Sequence, residues 1–387
     1  MENRKPKVVF TYMEAGFGHI TPMSGMAKAF SEKYGDKCEV SEIYPFSDSQ
    51  NKSVRKMGKT QVSFIKLLSK SKIYGKLEGI SYNFSSAFVL KVIDLFFLRG
   101  RRKFFKEFKD YEPDLLVSSF YQPSHLARES NDRGLTNTLI ATYSPDPYIY
   151  PAWDRKCDVF LVNNENAESS ALKNGFKKEQ VKRVPFIFSD KVKNYAKDKK
   201  SAREELGIKD EFTVLITSGA YGAEKNKKLV KRLFASDAKM NVVMIFGERE
   251  KAIPKFMKFL KNKKEGITFY PIGFTDKMAE YMVASDVIIG KTGSNTVAEA
   301  AHFKRPMILN ATASKLEEIT ADYYVKTGVA TKITSPRKIV SVIENEIRTK
   351  TGFYKDEERY KAFEDVSGAE RAADILYELL KTKFQNV

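Results

Sequence analysis

Three stretches of the sequence place small, polar or titratable residues where chemistry could use them. The first is Glu14-Ala15-Gly16-Phe17-Gly18-His19. Its glycines let the backbone turn tightly, and it follows an apolar run, residues 7–12, that reads as an opening strand. Ligands of open α/β sheets bind outside the carboxyl ends of the strands, so His19 is expected exposed at the tip of such a site. Imidazole titrates closest to neutrality and could take a proton from an acceptor hydroxyl as a general base. A helix-capping or merely exposed histidine is the alternative. The other two histidines, His125 and His302, sit in or near expected helices with no glycine loop, which favours His19.

The second stretch, Ser218-Gly219-Ala220-Tyr221-Gly222, follows a strand that ends at Thr217. Backbone amides freed by small residues at a strand end form an anion nest, although an ordinary glycine turn has the same composition. The third, residues 286–300, reads strand, glycine turn, helix: Asp286-Val-Ile-Ile-Gly290-Lys291-Thr292-Gly293-Ser294-Asn295-Thr296-Val-Ala-Glu299-Ala300. Its helix N-terminus would offer unpaired amides and partial positive charge to a diphosphate. Ser294 and Thr296 would supply capping or ligand-binding hydroxyls, and Glu299, a turn further on, could accept from ribose hydroxyls. Glu299 could equally complement the helix dipole with no ligand at all. The spacing is not that of a Walker loop.

These motifs need strands and helices to hold them. Short β-branched runs, each followed by turn residues and a helical pattern, recur along the chain, the signature of βαβ units around parallel sheets. Expected strands are 7–12, 114–118, 138–142 and 159–162, then 212–217, 241–246, 267–270, 287–289 and 307–309, with a first helix over 22–34. Two such series imply two doubly wound α/β domains. The organisation expected is a domain over 1–188, a lysine-rich linker over 189–210, a second domain over 211–352 and terminal helices over 353–387.

At 387 residues the chain has room for two cores. Two distant cysteines, Cys38 and Cys157, make neither a disulfide framework nor a thiolate cluster, and no His or carboxylate grouping has metal-ligand spacing. The start reads as a strand and not as a signal peptide, and no apolar run reaches the roughly 18 residues of a spanning helix, so a cytoplasmic protein is expected. Lys and Arg outnumber Asp and Glu 67 to 49, a net of +18. Residues 52–110 hold 15 basic and 4 acidic side chains beside many phenylalanines. Arg99, Arg101, Arg102, Lys103 and Lys106 follow an apolar stripe of Phe84, Phe88, Val92, Leu95 and Phe96. This composition suits an anionic membrane surface better than nucleic acid, for which no recognition motif accompanies the charge. A solvated basic face is the alternative.

His19 in its glycine loop, Gly219-Ala220-Tyr221-Gly222 with Lys225-Asn226, the run Gly273-Phe274-Thr275-Asp276, and the Gly290 to Ala300 block together resemble lipid-directed family 28 glycosyltransferases. The likeness is to diacylglycerol glucosyltransferases and monogalactosyldiacylglycerol synthases of the GT-B fold. It implies two Rossmann-like domains facing across a cleft, the first for acceptor and membrane and the second for a UDP-sugar donor. It further implies His19 as the catalytic base, with Gly18 beside it. Phe274 would lie near the uracil, Glu299 at the ribose, and Gly219, Ala220, Tyr221, Gly293, Ser294, Asn295 and Thr296 around the donor. Asn310 and Glu317 would stand near the donor sugar, and Lys291 or Lys225 would neutralise the diphosphate. The family's Pro-Gly-Gln-Glu motif is replaced by Ser314-Lys315-Leu316-Glu317, Ile187 stands where an arginine is frequent, and the acid expected after Thr142 is Tyr143, with Asp146 nearby. The activity implied by the resemblance is that of an inverting hexosyltransferase with no metal or other cofactor, acting on diacylglycerol or another lipid at the inner face of the cell membrane. A polyprenyl-linked saccharide as acceptor, or a non-catalytic binding module, are the alternatives.

Overall fold

The structure, a computed structural model, describes residues 4–12, 17–43, 48–49, 52, 54–56, 59, 105–217, 226–258, 261, 263–312, 315–350 and 357–384. Two compact units form. One comprises Met1–Ser189, Ala313–Leu316 and Asp365–Val387, the other Asp190–Thr312 and Glu317–Glu364.

The first unit is built on a parallel sheet of β1 (Lys7–Thr11), β2 (Glu39–Ile43), β3 (Leu115–Ser118), β4 (Leu139–Ser144), β5 (Val159–Val162) and β6 (Val181–Arg183), in the order β2-β1-β3-β4-β5-β6. Successive strand side chains point to opposite faces, and this alternation sorts the inner strands into two cores. Val8, Phe10, Leu115, Val117, Ala141 and Leu161 enter one; Val9, Leu116, Ile140, Phe160 and Val162 enter the other. A parallel sheet covered on both sides requires such runs. The inner strands of this unit agree with the expected ones to within two residues at each end. β2 and β6 escape pattern reading because edge strands carry charge, here Glu39, Glu42, Lys182 and Arg183.

The second unit repeats the architecture with β7 (Thr213–Thr217), β8 (Met240–Ile245), β9 (Ile267–Ile272), β10 (Val287–Lys291), β11 (Met307–Ala311) and β12 (Ala330–Lys332), ordered β12-β11-β10-β7-β8-β9 and parallel throughout.

Two expectations are corrected, and the packing of the expected terminal helices is defined. The first helix, α1 (Phe17–Tyr34), starts five residues earlier than expected, so Gly18 and His19 lie in its first turn and not at a loop tip. Pro22 is tolerated inside α1 because it costs only the bond to Gly18, one turn back, at a helix start where carbonyl partners can come from elsewhere. The supposed linker 189–210 is structured. It holds a helical turn, Asp190–Lys193, and the helix Lys199–Leu206, opened by the Asp198 side chain on the Ser201 amide at 2.8 Å and closed by Gly207 in the left-handed region. Its lysines face water while Ala202 and Arg203 are buried. Finally, the terminal helix Gly368–Lys381 packs on α1 in the first unit: Tyr34 and Tyr377 stack at 3.9 Å, and Ala372, Ala373, Leu376 and Leu380 complete the core around Phe30. Gly368 is required there, since a Cβ would lie 2.3 Å from the Pro185 carbonyl.

Candidate functional site

In each sheet the chain reverses its direction of travel once, and both motif-bearing loops fall at those reversals. From β1 the first unit steps outward to β2 and then returns to the other side of β1 with β3. The crevice outside β1 and β3 is therefore the position at which open α/β sheets bind ligands. His19 stands there. Its carbonyl accepts from Ser119 Oγ at 3.0 Å, and its ring meets Phe120 edge-on with centroids 5.9 Å apart. Ser119 and Phe120 are the residues directly after β3. Ser118 Oγ shapes that turn by accepting from the Phe120 amide at 3.1 Å and donating to the Phe120 carbonyl at 2.7 Å. His19 Nδ1 is buried and has no hydrogen-bond partner among the described residues. Burial pushes the imidazole pKa below its ordinary value, against the opposing pull of the Asp146 carboxylate and the Ser119 backbone. The ring is thereby held in its proton-accepting form at neutral pH. Tyr143, where an acid was expected, is fully buried with its hydroxyl pKa driven up by desolvation; it fills core space. Ser119 and Phe120 were missed because only the strand order reveals that β3 abuts β1.

The second unit turns between β7 and β10, which brings residues 291–293 to the corresponding position. Gly290 allows this approach, for a Cβ there would lie 2.2 Å from Thr217 Oγ1 on the paired strand. A register shift comes between Gly290 and Lys291, re-aiming the strand end. The helix after it, α2 (Ser294–His302), is N-capped by Gly293 with no side-chain cap. The capping position thus falls on Gly293, which has no hydroxyl, and not on Ser294 or Thr296, which lie inside the helix. Ser294 is buried and its carbonyl accepts from Tyr324 Oη at 3.3 Å. Thr292 Oγ1 and Asn295 Oδ1 are both buried without a hydrogen-bond partner among the described residues.

Glu299, one turn into the helix, is partly buried, and desolvation lifts its carboxyl pKa to about 7. Lys291 does not stand unpaired: its Nζ lies 2.9 Å from Glu317 Oε1. A ligand taking either group must share or displace this ion pair. Asn310, at the end of β11, donates through Nδ2 to Asn226 Oδ1 at 2.9 Å, reaching over the end of β10. Phe274 follows β9 and is 60% exposed. Its amide donates to Glu250 Oε1 at 3.0 Å, a contact made possible by Gly273, where a Cβ would lie 2.1 Å from the same oxygen. Glu250 was missed by sequence reading, which had no means of pairing it with a loop 24 residues away.

Gly219, Ala220, Tyr221 and Lys225 lie outside the described residues, as do Arg99, Arg101, Arg102, Lys103 and Ser314. Of the expected membrane cluster only Lys106 is described, exposed on a helical stretch over 105–111 whose Phe105 and Phe108 are buried in the core. Those two phenylalanines pack inside and offer nothing to a surface. No three His, Cys, Asp or Glu side chains gather as a metal site would require among the described residues, and no helix there is long and apolar enough to cross a membrane.

Two doubly wound parallel sheets, each with a motif at its reversal point, define the GT-B class. Residues 213–370 match the family model of the glycosyltransferase family 28 C-terminal domain. It is 26% identical over 365 residues to a chloroplastic monogalactosyldiacylglycerol synthase of Spinacia oleracea, covering 89% of this chain and 66% of that protein. It is 24% identical over 237 residues to a processive diacylglycerol beta-glucosyltransferase of Staphylococcus aureus, covering 60% of this chain and 59% of that one. The matches thus span somewhat less than two thirds of these curated relatives. Among solved structures, MurG of Acinetobacter baumannii superposes with a TM-score of 0.62 at 13% identity, covering 96% of this chain and 99% of that chain; this likeness speaks to the fold alone.

Proposed function

We propose that this chain is an inverting hexosyltransferase that moves a sugar from a UDP-sugar to a membrane lipid, diacylglycerol, at the inner face of the cell membrane. The observation that carries the reading is the family 28 domain at 213–370, in a chain whose relatives are named for glycosylating diacylglycerol. The first unit supplies a half-buried histidine, its pKa lowered by burial, at the reversal point of its sheet. In the proposed step the acceptor hydroxyl oxygen attacks the anomeric carbon as its proton passes to His19. The bond from that carbon to the diphosphate breaks, with its electron pair leaving on UDP. The uncapped start of α2, with Gly293, Ser294, Asn295 and Thr296, suits the diphosphate. Glu299 suits the ribose once ionised, Phe274 the uracil, and Asn310 and Glu317 the sugar. Lys291 contributes charge after exchanging Glu317 for phosphate. No metal is required by this scheme, since helix amides and lysine carry the neutralisation.

The test has two arms. Calorimetry with UDP-glucose and UDP-galactose should show saturable heat. Mass spectrometry of diacylglycerol incubated with the protein and each donor should show one or more added hexoses. Absence of heat with every UDP-sugar tried would mean a non-catalytic module.

A further inference from the structure

The net charge of the chain is concentrated in two places, and the second lies on the sugar-nucleotide unit. Residues 226–264 contain 12 Lys and Arg against 3 Asp and Glu, half of the chain's +18. With the 52–110 segment added, the two account for more than the whole surplus, so the rest of the chain is slightly acidic overall. Ten of the 12 cations are lysines.

The fold turns this stretch into one face. The chain runs β7, helix α3 (Lys227–Phe234), β8, helix α4 (Ile253–Met257), β9, with the three strands side by side in that order. Right-handed crossovers stepping in one direction put both helices on the same side of the sheet. Leu229, Val230, Leu233 and Phe234 of α3 and Phe256 of α4 accordingly enter a single core. Ile253 packs against the same core. Lys228, Lys231 and Arg232 are exposed on α3, and Lys251, Lys255, Lys258 and Lys261 are exposed on or beside α4. Pro254, Met257 and the C-cap Lys258 have the i, i+3, i+4 spacing of one helical stripe. Met257 is 41% exposed among those lysines.

Two of the three local carboxylates have partners away from the exposed cations: Asp237 pairs with Lys264, and Glu250 accepts from the Phe274 amide. Lys228, Arg232, Lys251, Lys258 and Lys261 have no side-chain hydrogen bond or ion pair among the described residues.

We infer that this face is an anionic-lipid docking surface of the second unit, independent of the 52–110 segment. Juxtaposed lysines with an exposed thioether and proline match a bilayer, whose diffuse negative potential attracts point charges and whose headgroup boundary takes up a small apolar side chain. Nucleic acid would be expected to engage arginine and stacked aromatics, whereas ten of the 12 cations of this stretch are lysines. α3 begins at Asn226, tied to Asn310 at the sheet end that carries the candidate donor site. The docking rests on the proposed lipid acceptor only for its purpose; the binding itself stands apart.

The test is co-sedimentation of the full chain with phosphatidylcholine vesicles with and without phosphatidylglycerol, at low and high salt. Each cation near an anionic surface is worth roughly fivefold in affinity, so the quadruple variant K228E/R232E/K258E/K261E should bind phosphatidylglycerol vesicles at least ~100-fold more weakly than wild type. The charge-neutral quadruple glutamine variant should lie between. UDP-sugar calorimetry on both variants, expected unchanged, verifies folding. Met257→Asp should weaken the binding that persists at high salt. Wild-type affinity in the quadruple variant, equal binding to neutral vesicles, or stronger binding to single-stranded DNA than to vesicles would each overturn the inference. If the variant loses vesicle binding while the wild type glycosylates no lipid, the surface stands and the proposed function falls. If lipid is glycosylated and the variant docks normally, the reverse holds.

Discussion

His19 and Glu299 are both half-hidden titratable groups, and desolvation drives each toward its uncharged form. For His19 the consequence is kinetic. Its pKa lies below the ordinary 6.5 because burial disfavours the imidazolium. The basic form therefore survives to lower pH, and kcat at saturating donor, where binding through Glu299 no longer enters, should stay level from pH 8 down past 6.5 before its acid limb appears. His19→Ala should lower turnover by about 10²–10⁴, abolish that limb and leave UDP binding nearly intact; a pH-rate profile of both proteins checks all three. For Glu299 the consequence is thermodynamic. With a folded pKa of about 7 against 4.5, the folded state holds a proton that the unfolded chain has released, so stability falls as pH rises between those values. Glu299→Gln should leave melting at pH 5 unchanged and raise it at pH 8, while weakening UDP binding at pH 8 by roughly 1.5–3 kcal/mol if the charged carboxylate holds the ribose. UDP should also bind wild type more tightly as pH passes 7. A carboxylate that merely complemented the helix dipole would instead lower melting when neutralised.

Helix and strand ends explain why a stretch with linker composition is structural. Arg203, 6% exposed, donates through Nε to the Ala284 carbonyl at 3.0 Å, and its two terminal nitrogens reach Asp286 at 2.6 Å and Asp210 at 2.7 Å. Asp286 also accepts from the Thr213 amide at 2.7 Å and from Lys199 Nζ at 2.5 Å. One guanidinium thus fastens Lys199–Leu206 to the start of β10 and, through Asp286, to β7. Arg203→Ala removes three charge-assisted contacts while Asp286 keeps Lys199 and the Thr213 amide, and should cost roughly 1.5–3 kcal/mol. Arg203→Lys should recover little, because an ammonium cannot span three acceptors in a fixed plane. Urea denaturation of the two variants measures this. At the other end of β10, Gly290→Ala would press a methyl into Thr217 Oγ1, and should weaken nucleotide binding, measured by calorimetry, if the ends of these two strands form the proposed site.

For the molecule, the decisive feature is that the chain returns. Residues after Glu364 belong to the first unit, where Ala372, Ala373, Leu376, Tyr377 and Leu380 are buried against α1. Burying large apolar side chains contributes about 1.5–3 kcal/mol each. Removing 365–387 should therefore unfold the first unit while sparing the second. Hydrogen exchange should show protection lost in β1, β3 and β4 and retained in β7, β8 and β10. Uniform loss in both units would mean that they fold as one.

How much was legible in advance depends on how local each feature is. The α/β class and the inner strands rest on runs such as Val8 to Phe10 and Val287 to Ile289, whose hydrophobicity is a property of adjacent residues. The Gly290 to Ala300 block is likewise contiguous, so its strand, turn and helix could be read directly, as could the family likeness. The edge strands could not, because Glu39 and Arg183 contradict the apolar pattern until a neighbouring strand supplies the ladder. Nor could Ser119 and Phe120 be placed beside His19, or Glu317 on Lys291, or the last helix on the first. Those juxtapositions depend on strand order and on contacts between residues tens to hundreds of positions apart, and only tertiary packing brings them together.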